Sequence, residues 1–408
     1  MATTNPNYDK LQAGYLFPEI AKRTRAFLAA NPGVSVMRLG IGDTTEPLTP
    51  SVIGGLHRGV DKLADVKTYT GYGAEQGNAG LRAALAKRYA SMGVELEDDE
   101  VFVSDGAKPD SANIQSIFGA NNIVAVQDPA YPVYVDSNVI AGRTGAWNGS
   151  GFDGLVYMPC TAANGFFPDV PQGKVDLIYI CSPNNPTGAV ATRAQLKTFV
   201  DYARQNKAVI IFDSAYAAYI SDSELPRSIF EIEGAQECAI ELSSFSKEAG
   251  FTGVRLGWTI VPKRLVCEDG EAGKIHRLWN RRQTTMFNGA SNIVQEGGVA
   301  VLSDEGQRES ARMVAYYMKN AKVIKTGLEA MGLTVFGGIN APYVWVQTPQ
   351  GMKSWDFFDK MMSEAHVVGT PGSGFGPNGD GYFRLSSFGH AEDIERAVDS
   401  IRCHLRIS

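Results

Sequence analysis

From Val101 onward the chain alternates short, almost wholly apolar runs with longer amphipathic stretches, and this constrains the fold more than any other feature. The runs are Val101–Ser104, Ile123–Val126, Leu155–Met158, Asp176–Cys181, Ala208–Phe212, Ala239–Leu242 and Trp258–Val261. They read as strands without polar alternation, so both faces are buried, which predicts a largely parallel sheet covered by helices on each side. The helices expected between them include Asp110–Phe118 and an amphipathic Thr192–Asn206. Ligands of such sheets bind beyond the carboxyl ends of the strands. Lys108, Tyr131, Asn185, Asp213, Tyr216, Ser244 and Lys247 all fall there.

The densest chemistry follows the run at Ala239. Ser244-Phe245-Ser246-Lys247 leads through a glycine-rich turn to Arg255. A lysine in that position can form a Schiff base with an aldehyde cofactor. Ser244, Ser246 and Arg255 can hold a phosphate dianion, once the glycines let the loop fold back. Taken alone, Lys247 reads as a surface lysine after a strand. Asp213 ends an apolar strand, and a buried acid there needs a partner. A protonated pyridine nitrogen would serve; a helix cap or a loop ion pair also fits. The turn Asp105-Gly106-Ala107-Lys108 opens a helix whose first N–H groups can bind an anion, with Asp110 as a possible cap. Tyr131, fixed between Pro129 and Pro132, could stack on a flat ring or belong to the core. Arg384, flanked by Phe383 and Leu385, could clamp a carboxylate or lie on the solvent face of an edge strand.

The chain has 408 residues, enough for two domains. Towards its end the style changes. Strands at Tyr343–Val346 and Tyr382–Leu385 alternate with helices at Trp355–Glu364 and Asp393–His404, predicting a small α+β domain. A long helix, Glu305–Met331, leads into it, and an arm with a helix at Glu19–Ala29 completes it. Tyr15 and Phe17 read as exposed aromatics just before that helix. The glycine loop 371–377 lacks the Gly-Lys-Ser/Thr of a phosphate loop, and no G-x-G-x-x-G follows the first strand.

A net charge of -6, with signs interspersed, argues against nucleic acid or an anionic membrane as partner, and no basic face suggests a DNA-binding regulator. No apolar run of membrane-spanning length and no secretory signal is seen, which predicts a soluble protein. The five cysteines are scattered without C-x-x-C spacing and read as buried reduced thiols in a reducing compartment. The dispersed histidines predict no metal site. The short polar start does not read as an intact transit peptide, although a processed organellar protein would look the same.

Asn185-Pro186-Thr187-Gly188, Asp213-Ser214-Ala215-Tyr216, Ser244-Phe245-Ser246-Lys247 with Arg255, and the late Arg384 occur in one order along nearly the whole chain. In this the chain resembles the class I/II aminotransferases. Residues 13–20, 71–77, 104–108 and 372–377 further resemble the LL-diaminopimelate aminotransferase branch of plant, algal and chlamydial type. The resemblance implies an aspartate-aminotransferase-like α/β fold (PLP fold type I). Its large domain would have a mostly parallel seven-stranded sheet, and its small domain would be α+β. The implied boundaries are 1–47 for the arm and part of the small domain, 48–305 for the cofactor-binding domain and 306–408 for the rest of the small domain.

The implied cofactor is pyridoxal 5′-phosphate. Lys247 would bind it covalently and act as acid and base, Asp213 would hold the ring nitrogen protonated, and Tyr216 and Asn185 would bond its phenolic oxygen. Tyr131 would stack on the ring, while Ser244, Ser246, Arg255, Ala107 and Lys108 would hold the phosphate. Arg384 would bind the substrate α-carboxylate. The resemblance also implies a homodimer with shared sites. Tyr72 would reach the partner's phosphate, and Glu75 and Asn288 the partner's cofactor and substrate. Tyr15, Gly42 and Glu75 would face the distal end of a long dicarboxylate bearing a second ammonium. Substrate contacts are also expected from Lys108, Tyr131 and Asn185. Pro109 departs from the expected pattern, at a helix start where its missing N–H matters little. The implied reaction moves an amino group between L-glutamate and tetrahydrodipicolinate, in lysine biosynthesis; an aspartate or aromatic aminotransferase is the nearest alternative. The implied location is the plastid stroma for a plant or alga and the cytoplasm for a bacterium.

Overall fold

The computed structural model describes residues 1–11, 16–268 and 270–407. Its main sheet has seven strands: β1 (Val101–Ser104), β2 (Val124–Asp128), β3 (Leu155–Pro159), β4 (Leu177–Cys181), β5 (Val209–Asp213), β6 (Ala239–Ser244) and β7 (Gly257–Ile260). Their order is β1-β7-β6-β5-β4-β2-β3. The pairs from β6 across to β3 are parallel, and only β7 runs against its neighbours. Every residue of β1, β2, β4, β5, β6 and β7 is buried, which is why these strands lack polar alternation. Because β7 reverses between β1 and β6, those two strands run the same way. Ser104 and Ser244 therefore flank Gly257 at one edge, and Cys181 pairs with Asp213 along the same edge.

A second sheet is antiparallel, in the order Thr370–Pro371, Tyr382–Ser386, Tyr343–Gln347, Val335–Gly337. The helix Asp304–Glu329 serves both sheets. Met313 and Tyr317 pack with one face of the large sheet, whereas Ala321, Ile324 and Leu328 belong to the core around the small one. Helix Leu16–Ala30 joins that second core through Leu16 and Ile20, and Met37–Arg38 pairs in parallel with Val367–Val368.

Several expectations shift. The helix after β1 spans Ala107–Asn113 and continues as a 3-10 turn over Ile114–Ile117, starting earlier than Asp110. Asp110 is not its cap. It lies inside the helix, buried, and accepts hydrogen bonds from the hydroxyls of Ser104 (2.5 Å) and Thr259 (2.7 Å). Helix Leu16–Ala30 starts before Glu19, so Phe17 is helical and half-buried, not an exposed aromatic. Cys160, Cys181 and Cys238 are buried thiols, but Cys267 is half-exposed and Cys403 exposed. No helix among the described residues is long and apolar enough to cross a membrane.

Candidate active site

A cavity of about 380 Å³ opens where the carboxyl edge of the large sheet faces the small sheet. Gly42, Ala107, Lys108, Tyr131, Asn185 and Asp213 line it. So do Tyr216, Ser244, Ser246, Lys247, Arg255 and Arg384. The parallel strands deliver Lys108, Tyr131, Asn185, Asp213 and Lys247 to one edge, and the small sheet brings Arg384 against them.

Lys247 lies in the helical turn Phe245–Glu248 directly after β6. Ser244 caps that turn, accepting from the Ser246 amide at 3.0 Å. The Lys247 ammonium donates to the Gly42 carbonyl and lies 5.6 Å from the Phe388 ring centre. Burial is the strongest influence on the amine and lowers its pKa to about 8; Asp43 pulls it up, and Arg255 and Arg384 push it down. Near neutral pH a usable fraction is therefore the free amine, the form that attacks a carbonyl carbon.

Beside it lies a set of anion donors. Ser244 Oγ is 2.9 Å from Ser246 Oγ, and Arg255 Nη1 donates to Ser246 Oγ at 3.0 Å. Arg255 has φ +71°, a left-handed backbone that turns its side chain back towards β6. Gly106 makes room for it: its φ is +138°, and a Cβ there would overlap Arg255 Nη2. Ala107 and Lys108 follow as the first residues of the helix.

On the other side Asp213 ends β5. Tyr134 donates to its Oδ2 at 2.7 Å and the Ala215 amide to its Oδ1 at 2.9 Å. Burial raises the Asp213 pKa, and these two donors oppose it by favouring the carboxylate. Tyr131 packs edge-on to Tyr134, with ring centres 5.8 Å apart, and Lys108 Nζ lies 6.0 Å from its ring centre. Tyr216 and Tyr343 bring their hydroxyls to 2.8 Å of one another.

Arg384 is only 1% exposed, on an inner strand of the small sheet, so the edge-strand alternative falls. Its Nη1 donates to Asn185 Oδ1 at 2.6 Å and its Nη2 to the Gly40 carbonyl at 2.6 Å. Its guanidinium lies 4.4 Å from the Tyr343 ring centre and 4.8 Å from that of Phe375. Among the described residues no carboxylate pairs with it, its Nε has no partner, and burial lowers its pKa. A buried cation in this condition is costly until an anion arrives.

The remaining candidates lie elsewhere. Tyr72 and Asn288 are exposed and Glu75 half-exposed, away from the cavity of their own chain; the two loops carrying them touch where Gly289 approaches Ala74 and Glu75. Tyr15 lies outside the described residues. The sequence reading missed Tyr134, Tyr343, Cys181 and Phe17, which also line the cavity. Tyr134 and Tyr343 carry no signal of their own. Each reads as an ordinary core aromatic until its hydroxyl is found on another polar group.

The family model for class I and II aminotransferases matches residues 34–401. L,L-diaminopimelate aminotransferase from Chlamydomonas reinhardtii is 51% identical, each chain covered to 98%, with a TM-score of 0.93. An aromatic aminotransferase from Pyrococcus horikoshii is 25% identical, with 94% of this chain and 98% of that one covered and a TM-score of 0.79. Aspartate aminotransferase from Thermotoga maritima, 22% identical over 98% of this chain and 99% of its own, shares the fold with a TM-score of 0.83.

Proposed function

Because the chain belongs to the class I and II aminotransferases, we propose that it transfers an amino group between L-glutamate and tetrahydrodipicolinate, giving LL-diaminopimelate and 2-oxoglutarate, in lysine biosynthesis. The observation that carries the reading is one cavity holding a buried amine of lowered pKa, a buried carboxylate at a strand end and a buried guanidinium without a carboxylate partner. For the choice of substrate, support comes from the 51% identity to the algal enzyme.

Enzymes of this family depend on pyridoxal 5′-phosphate, and the residues present suit it. Ser244, Ser246, Arg255 and the start of helix Ala107–Asn113 form a donor set fit for its phosphate, in a space that a side chain at Gly106 would fill. When bound, the cofactor supplies a carbonyl for the amino group and a ring that withdraws electrons from the substrate Cα. Asp213 is placed to hold a proton on the ring nitrogen, its charge sustained by Tyr134 and the Ala215 amide. Tyr131 would cover the ring, and Tyr216 and Asn185 would donate to its phenolic oxygen. Asn185 can do so because its Oδ1 is engaged by Arg384, which leaves its NH₂ free to donate. Arg384 would exchange at least one of the oxygens it now holds for the substrate carboxylate. Lys247 Nζ then takes the proton from the substrate Cα as general base.

The reading includes a homodimer in which Tyr72, Glu75 and Asn288 complete the partner's site. The exposure of Tyr69 (63%) and Tyr72 (89%) on the loop leading to Glu75, and of Met286 (67%) at the end of helix Lys274–Met286, supports it. Glu75, with Tyr15 and Gly42, would then meet the distal ammonium of a diamino dicarboxylate. The two sheets support a cofactor domain at 48–305 and a small domain made of 1–47 and 306–408. In a plant or alga the enzyme belongs in the plastid stroma, in a bacterium in the cytoplasm.

The test is the visible spectrum of the purified protein titrated with LL-diaminopimelate, meso-diaminopimelate and L-aspartate. Bleaching of the long-wavelength band by LL-diaminopimelate alone fits the proposal. Equal bleaching by aspartate would leave the cofactor chemistry standing and overturn the substrate. Absence of any such band would overturn the role of Lys247.

A further inference from the structure

Tyr343 stands on the small sheet, outside every motif that marks the site in the sequence. It is 1% exposed, and its surroundings are unusual for a core tyrosine. Its hydroxyl lies 2.8 Å from that of Tyr216, and their rings meet at 69° with centres 5.2 Å apart. Its ring face supports the Arg384 guanidinium at 4.4 Å, one strand over. A Cβ on Gly42 would come within 2.5 Å of the Tyr343 oxygen, so the glycine there admits this hydroxyl. Gly42 also offers the carbonyl that receives the Lys247 ammonium. One side chain therefore touches the carboxylate clamp, the tyrosine facing the cofactor's phenolic oxygen, and the segment that holds the lysine.

We propose that Tyr343 is a positioning residue for the transamination: it fixes Arg384 with its ring and donates its hydroxyl proton to Tyr216, strengthening Tyr216 as donor to the cofactor. This rests on the functional reading above. The direction of the bond follows from proton count. A phenol has one proton. If Tyr216 gives its own to the cofactor's phenolic oxygen, the bond between the two tyrosines must be donated by Tyr343. A donor to Tyr216's oxygen polarises its O–H and makes the next bond in the chain stronger, by about 10–30%. That bond favours the anionic phenolic oxygen, and so lowers the pH at which the covalently bound cofactor loses its proton. The ionisable groups facing the tyrosine pair are Arg384 from the small sheet, Cys181 and Asp213 from the large one, and Tyr219 from the turn after β5. Tyr131, Arg255 and Lys247 are the charged or titratable neighbours around those groups.

The experiment compares Tyr343→Phe and Tyr343→Leu with the parent, all cofactor-loaded and of verified melting temperature. The pH midpoint of the visible band is titrated without substrate, and KM for L-glutamate is measured apart from kcat. Tyr343→Phe keeps the ring under Arg384 and loses only the hydroxyl. Its midpoint should rise, with KM held within about twofold because the cation–π contact remains. Tyr343→Leu should show the same rise and in addition a KM higher by about fivefold or more, as the guanidinium loses its support. In a Tyr216→Phe background the Tyr343→Phe change should no longer move the midpoint, since the relay has no middle member. A midpoint unmoved or lowered in Tyr343→Phe overturns the proposal, as does a full shift persisting in the Tyr216→Phe background. A parent protein with no visible band at all would instead overturn the functional reading on which it rests.

Discussion

Asn185 Oδ1 accepts a 2.6 Å hydrogen bond from Arg384 Nη1, joining a turn of the large sheet to an inner strand of the small one. In the proposed reading a substrate carboxylate enters this arrangement and replaces at least one of the oxygens now facing the guanidinium. Lysine has neither the fork nor the reach to do the same. Arg384→Lys should therefore lower kcat/KM for L-glutamate by about 100-fold, mostly through KM, as steady-state kinetics will show. Near-parental kinetics would remove Arg384 from substrate binding.

Lys247 links the site to pH. Its pKa in the fold, about 8, is below its ordinary 10.5, so between these values the unfolded chain holds more protons. Stability of the cofactor-free protein should thus rise as pH increases from about 8 to about 10.5. Lys247→Met removes the buried ammonium and should stabilise the cofactor-free protein by about 1–3 kcal/mol at pH 7, with the gain shrinking by pH 10. Urea unfolding at both pH values measures this. A variant less stable than the parent at pH 7 would show that the amine is well accommodated as a cation. The same variant should have no visible band and no transamination.

Gly106 is the point where a single methyl group meets the phosphate donors. Its φ of +138° and the overlap of a Cβ with Arg255 Nη2 act together. Gly106→Ala should cost about 1–3 kcal/mol of stability and displace Arg255. The cofactor dissociation constant, read by fluorescence quenching on the reconstituted protein, should rise at least tenfold. Unchanged affinity would mean that Arg255 is not a phosphate ligand.

How much of this could be read from the residues alone differs by element. The apolar runs reported the mostly parallel sheet because six of its seven strands are buried on both faces and leave no other pattern, and Lys247, Asp213 and Asn185 lie at strand ends along a common edge. The strands Met37–Arg38, Val335–Gly337, Val367–Val368 and Thr370–Pro371 are two or three residues long, too short for any periodicity. Asp110 looked like a cap because aspartate near a helix start usually is one. Its burial depends on Thr259, nearly 150 positions away, which no local pattern reveals. Tyr134 and Tyr343 were hidden for a related reason: a tyrosine's ring marks it as core, and its hydroxyl's partner lies far away in sequence.

In the proposed reading Glu75 sets the substrate choice, and this role can be separated from the common chemistry. Glu75→Ala should reduce turnover of LL-diaminopimelate far more than the half-reaction with L-glutamate, because only the former brings a distal ammonium to be matched. Rapid-mixing absorbance measurements on the two half-reactions give the comparison. Equal loss in both would withdraw the specificity role.

Helix Leu16–Ala30 packs through Leu16 and Ile20 into a core otherwise built largely from residues 321–405. During synthesis it leaves the ribosome well before residues 321–405, and its hydrophobic stripe has no home until they follow. The large sheet, by contrast, is complete once Ile260 has emerged. Order of emergence and order of assembly therefore run opposite for this helix. Until residues 321–405 have followed, Leu16, Ile20 and Phe27 have no core to enter.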